Sequence, residues 1–187
     1  IVGAAGNEGN DKLHIQHYFS SVTDTLRTII GIDTYENEEY ESNVDIWGDA
    51  NSNINYGIEI YNLTSKQIVY FSDFGYTNNK FKIDKEWTVE DKIIKIRTSS
   101  IAKYPTNNKP NIELTVNNPA YEQYGIAVVL IGTRDKKIDL WNAGIGYGAH
   151  FQKITNTQTG GWTSGDSFST VGEIGGTGKK TISAGAY

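Results

Sequence analysis

Cysteine and methionine are both absent from this 187-residue chain, and proline occurs only 3 times. Without cysteine there is no disulfide framework, no thiolate metal site and no thiol nucleophile, so packing and backbone hydrogen bonds must hold any core together. The missing methionine, at the start as elsewhere, leads us to expect an internal piece of a longer protein. Positive charge is in short supply: 17 Lys and Arg face 22 Asp and Glu, a net charge of −5. That balance speaks against a nucleic-acid partner. No stretch approaches the roughly 20 apolar residues of a membrane-crossing helix, and there is no signal-peptide pattern. Nothing in the residue inventory calls for a metal or a cofactor.

What is present is alternation. Leu13, Ile15, His17 and Phe19 recur at every second position, as do Leu26, Thr28, Ile30 and Ile32. Further pairs and triplets follow: Ile58 and Ile60, Ile68 and Tyr70, Phe81 and Ile83, Ile112 with Leu114 and Val116, Ile138 and Leu140. Ile93 to Ile96 and Ile126 to Ile131 are denser apolar runs. A period of two puts one face of each segment into a core, so these are strands. Turn-forming clusters separate them at 49–55, 75–80, 105–110, 117–119 and 134–137. Many short strands with polar turns, in a chain with 12 tyrosines, predict a mainly β fold: an antiparallel β-sandwich of jelly-roll type. The stretch 84–91, where Trp87 and Val89 sit among charges, reads as a turn or a single helical turn.

Both ends depart from this pattern. Ile1 to Ala5 is apolar on both faces, and Thr181-Ile-Ser-Ala-Gly-Ala-Tyr187 is a second strand of small and apolar residues without alternation. Such strands belong to parallel sheets covered on both sides. The chain therefore divides into 1–12, a sandwich over 13–165, and a return segment over 166–187, with the sandwich inserted between two strands of another sheet.

Two end motifs sharpen that division. Ala4-Ala-Gly-Asn-Glu-Gly9 resembles the stretch of subtilisin-like serine peptidases that carries the oxyanion-hole asparagine. Ser169-Thr-Val-Gly172 followed by Lys180-Thr-Ile-Ser-Ala-Gly-Ala-Tyr187 resembles the segment that normally follows it after a short loop; here roughly 160 residues intervene. The resemblance implies that Asn7 donates its side-chain amide to the oxyanion. It also implies that Ala4, Ala5, Gly6 and Glu8 border the pocket for the residue before the scissile bond. A fixed amide N–H stabilises the negative charge on a tetrahedral intermediate without bringing a counter-charge. It implies further a peptide or protein substrate, the remainder of a catalytic domain as partner, and a bacterial extracellular or cell-envelope location. The nucleophile motif Gly-Thr-Ser and the motifs around the catalytic Asp and His are missing, so this chain alone is expected to be inactive. Bare edges on the terminal strands would favour self-association.

Other patterns point elsewhere and weigh less. Gly165-Asp-Ser167 resembles a serine-peptidase nucleophile motif, but Phe168 stands where glycine is needed. Gly175-Gly-Thr-Gly-Lys-Lys180 has Glu173 and Lys180 at positions a phosphate loop cannot accept. Asp49-Ala-Asn-Ser-Asn53 starts like a calcium loop yet has Ile54 at the turn glycine and Ile60 at the bidentate glutamate, and reads as a hairpin turn. His14 and His17 point to opposite faces of one strand and cannot share a metal. The acidic run 36–41 reads as a solvated loop, and Asn62-Leu-Thr64 matches a glycosylation acceptor. Trp47, Trp87, Trp141 and Trp162 would serve a sugar-stacking platform if they shared a face, which keeps open a carbohydrate- or protein-binding jelly roll as the alternative.

Overall fold

A computed structural model describes residues 2–4, 12–32, 41–78, 81–144, 149–155, 160–166 and 182–184. In chain order the strands are β1 (Val2–Ala4), β2 (His14–Tyr18), β3 (Leu26–Ile32), β4 (Glu41–Gly48), β5 (Ile54–Asn62), β6 (Gln67–Phe71) and β7 (Gly75–Tyr76). They continue as β8 (Asp84–Val89), β9 (Lys92–Ile101), β10 (Asn111–Asn117), β11 (Tyr124–Gly132), β12 (Lys137–Gly144), β13 (Ala149–Gln152) and β14 (Ile182–Ala184). One sheet has the order β2-β12-β4-β10-β9-β8, the other β13-β3-β11-β5-β6 with β7 alongside β5. Every pairing in both sheets is antiparallel. The chain changes sheet from β2 to β3, β3 to β4, β4 to β5, β7 to β8, β10 to β11, β11 to β12 and β12 to β13. That exchange interleaves distant strands in the manner of a jelly roll.

Alternation builds the core as expected. Val44 and Ile46 of β4, Ile112, Leu114 and Val116 of β10, and Ile138 and Leu140 of β12 face Leu26 and Ile30 of β3, Ile54, Ile58 and Ile60 of β5, and Ile126, Val128 and Leu130 of β11. The dense apolar run of β11 has its own cause, because its outward-facing Ala127 and Val129 are buried too. Ile29, Tyr61 and Ala127 form a second cluster on the outer face, with Ile154 and Trp162 laid against it.

Two expectations change. Residues 84–89 are a strand, not a helical turn, and a two-residue turn at Glu90 (φ 55°) and Asp91 joins them to β9. The charges Asp84, Lys85 and Glu86 mark an edge strand whose outer side must discourage pairing, while Trp87 reaches the core. The segment 49–53 is not a hairpin: it carries the chain from β4 in one sheet to β5 in the other. Its Asp49 carboxylate accepts from the Lys137 backbone N–H at 3.0 Å.

Two polar groups set local geometry. Asn142 on β12 points into the interior, donating to the Gly31 carbonyl at 3.4 Å and the His150 carbonyl at 3.0 Å and pairing with the Ser42 hydroxyl. One buried amide thus ties the two sheets together. At the β2–β3 connection, Asp24 accepts from the Ser20 backbone N–H at 2.9 Å, the Ser20 hydroxyl at 3.0 Å and His17 at 3.3 Å. The Ser20 backbone bond foremost holds the Asp24 carboxyl below its usual range, against some opposing desolvation.

Asn142→Ala strands two buried carbonyls, so urea unfolding should show a loss of about 3 kcal/mol. For Asp24→Asn the expected loss is smaller, about 0.5–1 kcal/mol, because the carboxylate keeps partial solvent contact. The folded carboxyl titrates below the unfolded one. Its contribution is therefore complete above about pH 4 and disappears as pH falls further through the folded value. Unfolding curves of both proteins from neutral to acid should converge over that range.

Candidate functional site

Parallel strands cannot be joined by a tight turn; they need a long crossover. β1 and β14 are such a pair, in the register Val2↔Ile182, Gly3↔Ser183, Ala4↔Ala184. Here the crossover is the whole sandwich. Of the residues singled out around the oxyanion motif, Ala4 ends β1 opposite Ala184, while Ala5, Gly6, Asn7 and Glu8 lie outside the described residues. Ser167 and the stretch 175–180 lie outside them as well.

The segment 160–166 brings the chain back across the sandwich. Gly161 has φ +84°, and a Cβ there would stand 2.2 Å from the Thr25 carbonyl oxygen, so only glycine lets the chain come this close. Its carbonyl accepts from the Arg27 N–H at 2.7 Å, and the Thr163 N–H donates to the Arg27 carbonyl at 2.8 Å. Trp162 then lies edge-on to Tyr61 at 5.1 Å. On β5, Glu59 is 3% exposed, with Arg27 Nε 3.5 Å from its Oε1 and no hydrogen-bond partner for its Oε2. Arg27 spends another donor on the Gly160 carbonyl at 2.7 Å. This ion pair escaped sequence reading because Ile58-Glu59-Ile60 looks like any strand with its charge facing solvent.

His14 is a second surprise. It faces outward from its sheet yet is the more buried of the two histidines on β2, covered by Asp166 and by Trp141, whose ring centroid is 5.1 Å away. His17 instead packs on Phe19 and pairs with Asp24. The histidines do not share a site, and among the described residues no group of His, Cys, Asp and Glu could hold a metal ion.

A cavity of about 450 Å³ opens beside β3, β13 and the 118–124 loop. Lys66, Lys153 and His150 line it, and among the described residues no carboxylate does. The tryptophans form no common platform. Trp47 stands edge-on to Tyr104 and donates to Asp45 at 2.6 Å, Trp87 packs on Tyr124, Trp141 covers His14, and Trp162 covers Tyr61. Each indole is spent on its own neighbour. Asn62 holds a turn, accepting from the N–H groups of Thr64 and Ser65.

No protein-family model and no curated protein sequence matches the chain. Among solved structures it is similar to the CspB protease of Clostridium perfringens, with a TM-score of 0.64 and 16% identity over 100% of this chain and 34% of that one. The chain thus spans about a third of the length of that protease, and at this identity the likeness is one of fold.

Removing Arg27 should leave the Glu59 carboxylate buried and uncompensated. Arg27→Met is expected to cost about 3 kcal/mol in chemical denaturation, and the double replacement Arg27→Met/Glu59→Gln to recover a large part of it. Equal losses in the single and double variants would show that the charge pair is not what stabilises this face.

Proposed function

We propose that the chain is the part of a subtilisin-like serine endopeptidase that carries the oxyanion strand, an inserted jelly-roll sandwich and the returning strand. The observation that carries this reading is the parallel pairing of β1, which leads into the first family-like motif at Ala4, with β14, which lies within the second. A sandwich inserted between neighbouring strands of a parallel sheet must return its ends side by side and running the same way. A free-standing binding module has no such requirement. The fold likeness to one third of a protease chain points in the same direction.

In this reading the parent cleaves peptide bonds through an acyl-enzyme, with Ser, His and Asp supplied by the rest of the catalytic domain. Asn7 donates to the oxyanion, and Ala4, Ala5, Gly6 and Glu8 border the substrate pocket. Among the described residues β1 and β14 pair only with each other. Their outer edges would receive the flanking strands of the catalytic domain, or a second copy when that domain is absent. The sandwich would form a wall beside the cleft, and the parent would work outside the cell or in its envelope.

Asn7→Ala in the full-length parent tests the assignment. It removes one donor made for the transition state, so kcat per titrated active site should fall about 10²- to 10³-fold with KM little changed, a magnitude taken from enzymes of that type. An unaltered kcat per site would make Asn7 a turn residue and sink the reading.

A further inference from the structure

His14 stands between two carboxylates. Its Nδ1 is 2.9 Å from Asp166 Oδ1, its Nε2 is 3.5 Å from Asp139 Oδ1, and the residue is 2% exposed. A carboxylate only accepts, so the short contact requires the hydrogen on Nδ1. In a neutral ring, Nε2 is then a bare lone pair aimed at a second carboxylate, and it has no hydrogen-bond partner in this structure. Protonation of Nε2 replaces that acceptor–acceptor opposition with a charge-assisted contact, so the cationic ring serves both carboxylates and the neutral ring serves one.

The surroundings fit such a role. Asp139 is already engaged by Gln16 Nε2 at 2.8 Å and by Lys137 Nζ at 3.4 Å, which fixes its carboxylate in place. Trp141 closes one face of the ring. The Asp166 N–H also donates to the His14 carbonyl at 2.7 Å, so backbone and side chain meet at the same point. His14 is the first residue of β2, and Asp166 is the last described residue before β14. The contact therefore joins the first strand of the sandwich to the end of segment 160–166.

We propose that His14 is a positioning residue, whose protonated imidazole clamps Asp166, and through it the returning segment, to the first strand of the sandwich, with Asp139 as the second anchor. The clamp is complete when the ring is charged and both carboxylates are ionised. That this clamp tunes how the oxyanion segment is presented rests on the peptidase reading; the clamp itself does not.

Hydrogen exchange of segment 160–166 in the 187-residue chain, corrected for intrinsic rates, tests it at about pH 5.5 and about pH 8.5. Protection should be about tenfold or more greater at the lower pH. His14→Gln should abolish the pH response, Asp166→Asn should weaken it, and His17→Gln and His150→Gln should keep it. Equal protection of the unmodified chain at both pH values would overturn the clamp, as would a response that disappears in His17→Gln or His150→Gln instead. Should His14→Gln not fold, the unmodified chain and the other variants still decide. The peptidase reading is judged separately by the turnover of Asn7→Ala.

Discussion

Everything in this molecule depends on two antiparallel sheets burying their inward-facing branched side chains against each other. Neither sheet could persist alone, since each would leave a wall of Ile, Val and Leu in water. Because the chain repeatedly changes sheet, most neighbours in the core come from distant parts of the sequence. The core is thus also what brings the two ends of the chain together. Asn142 shows how little polarity this arrangement tolerates: the amide is admitted between the sheets because backbone carbonyls of β3 and β13 and the Ser42 hydroxyl engage it.

The two outer faces are treated differently. On the β3–β11–β5 side the returning segment covers a second apolar cluster, which turns β11 into a strand buried on both faces. Glu59 on this side is also buried, with Arg27 beside it. Burying an ion pair is a poor way to gain stability, but Arg27 also donates to the Gly160 carbonyl, which ties the pair to the covering segment. Gly161 and Trp162 act at the same place, one by permitting close approach and the other by filling the space above Tyr61.

Under the proposed peptidase reading, the sandwich is an inserted domain beside a site it does not contain. A sandwich inserted between two strands acts on them only through its points of entry and exit. Here residues 14 and 166 are cross-linked by backbone and side-chain contacts, and β1 pairs in parallel with β14. Under that reading, a change at the His14–Asp166 contact would alter the alignment of the flanking strands while the core keeps its packing.

The class of fold was legible in the residues themselves, because alternation along Leu26 to Ile30 or Ile112 to Val116 reports which side chains leave water, whatever they later touch. The separate character of the ends was legible for the same reason, in their lack of alternation. Strand β8 was not, since its charges Asp84 to Glu86 guard an edge, and which strands become edges is settled only when the sheet assembles. The link from 49 to 53 looked like a hairpin because local turn chemistry says nothing about which sheet the next strand joins. His14 and Asp166 lie 152 positions apart, and Glu59 sits in a strand that any surface could carry. Sequence determined which side chains must be buried; the tertiary structure alone decided which polar groups were buried with them, because a charge's environment is made by neighbours remote in the chain.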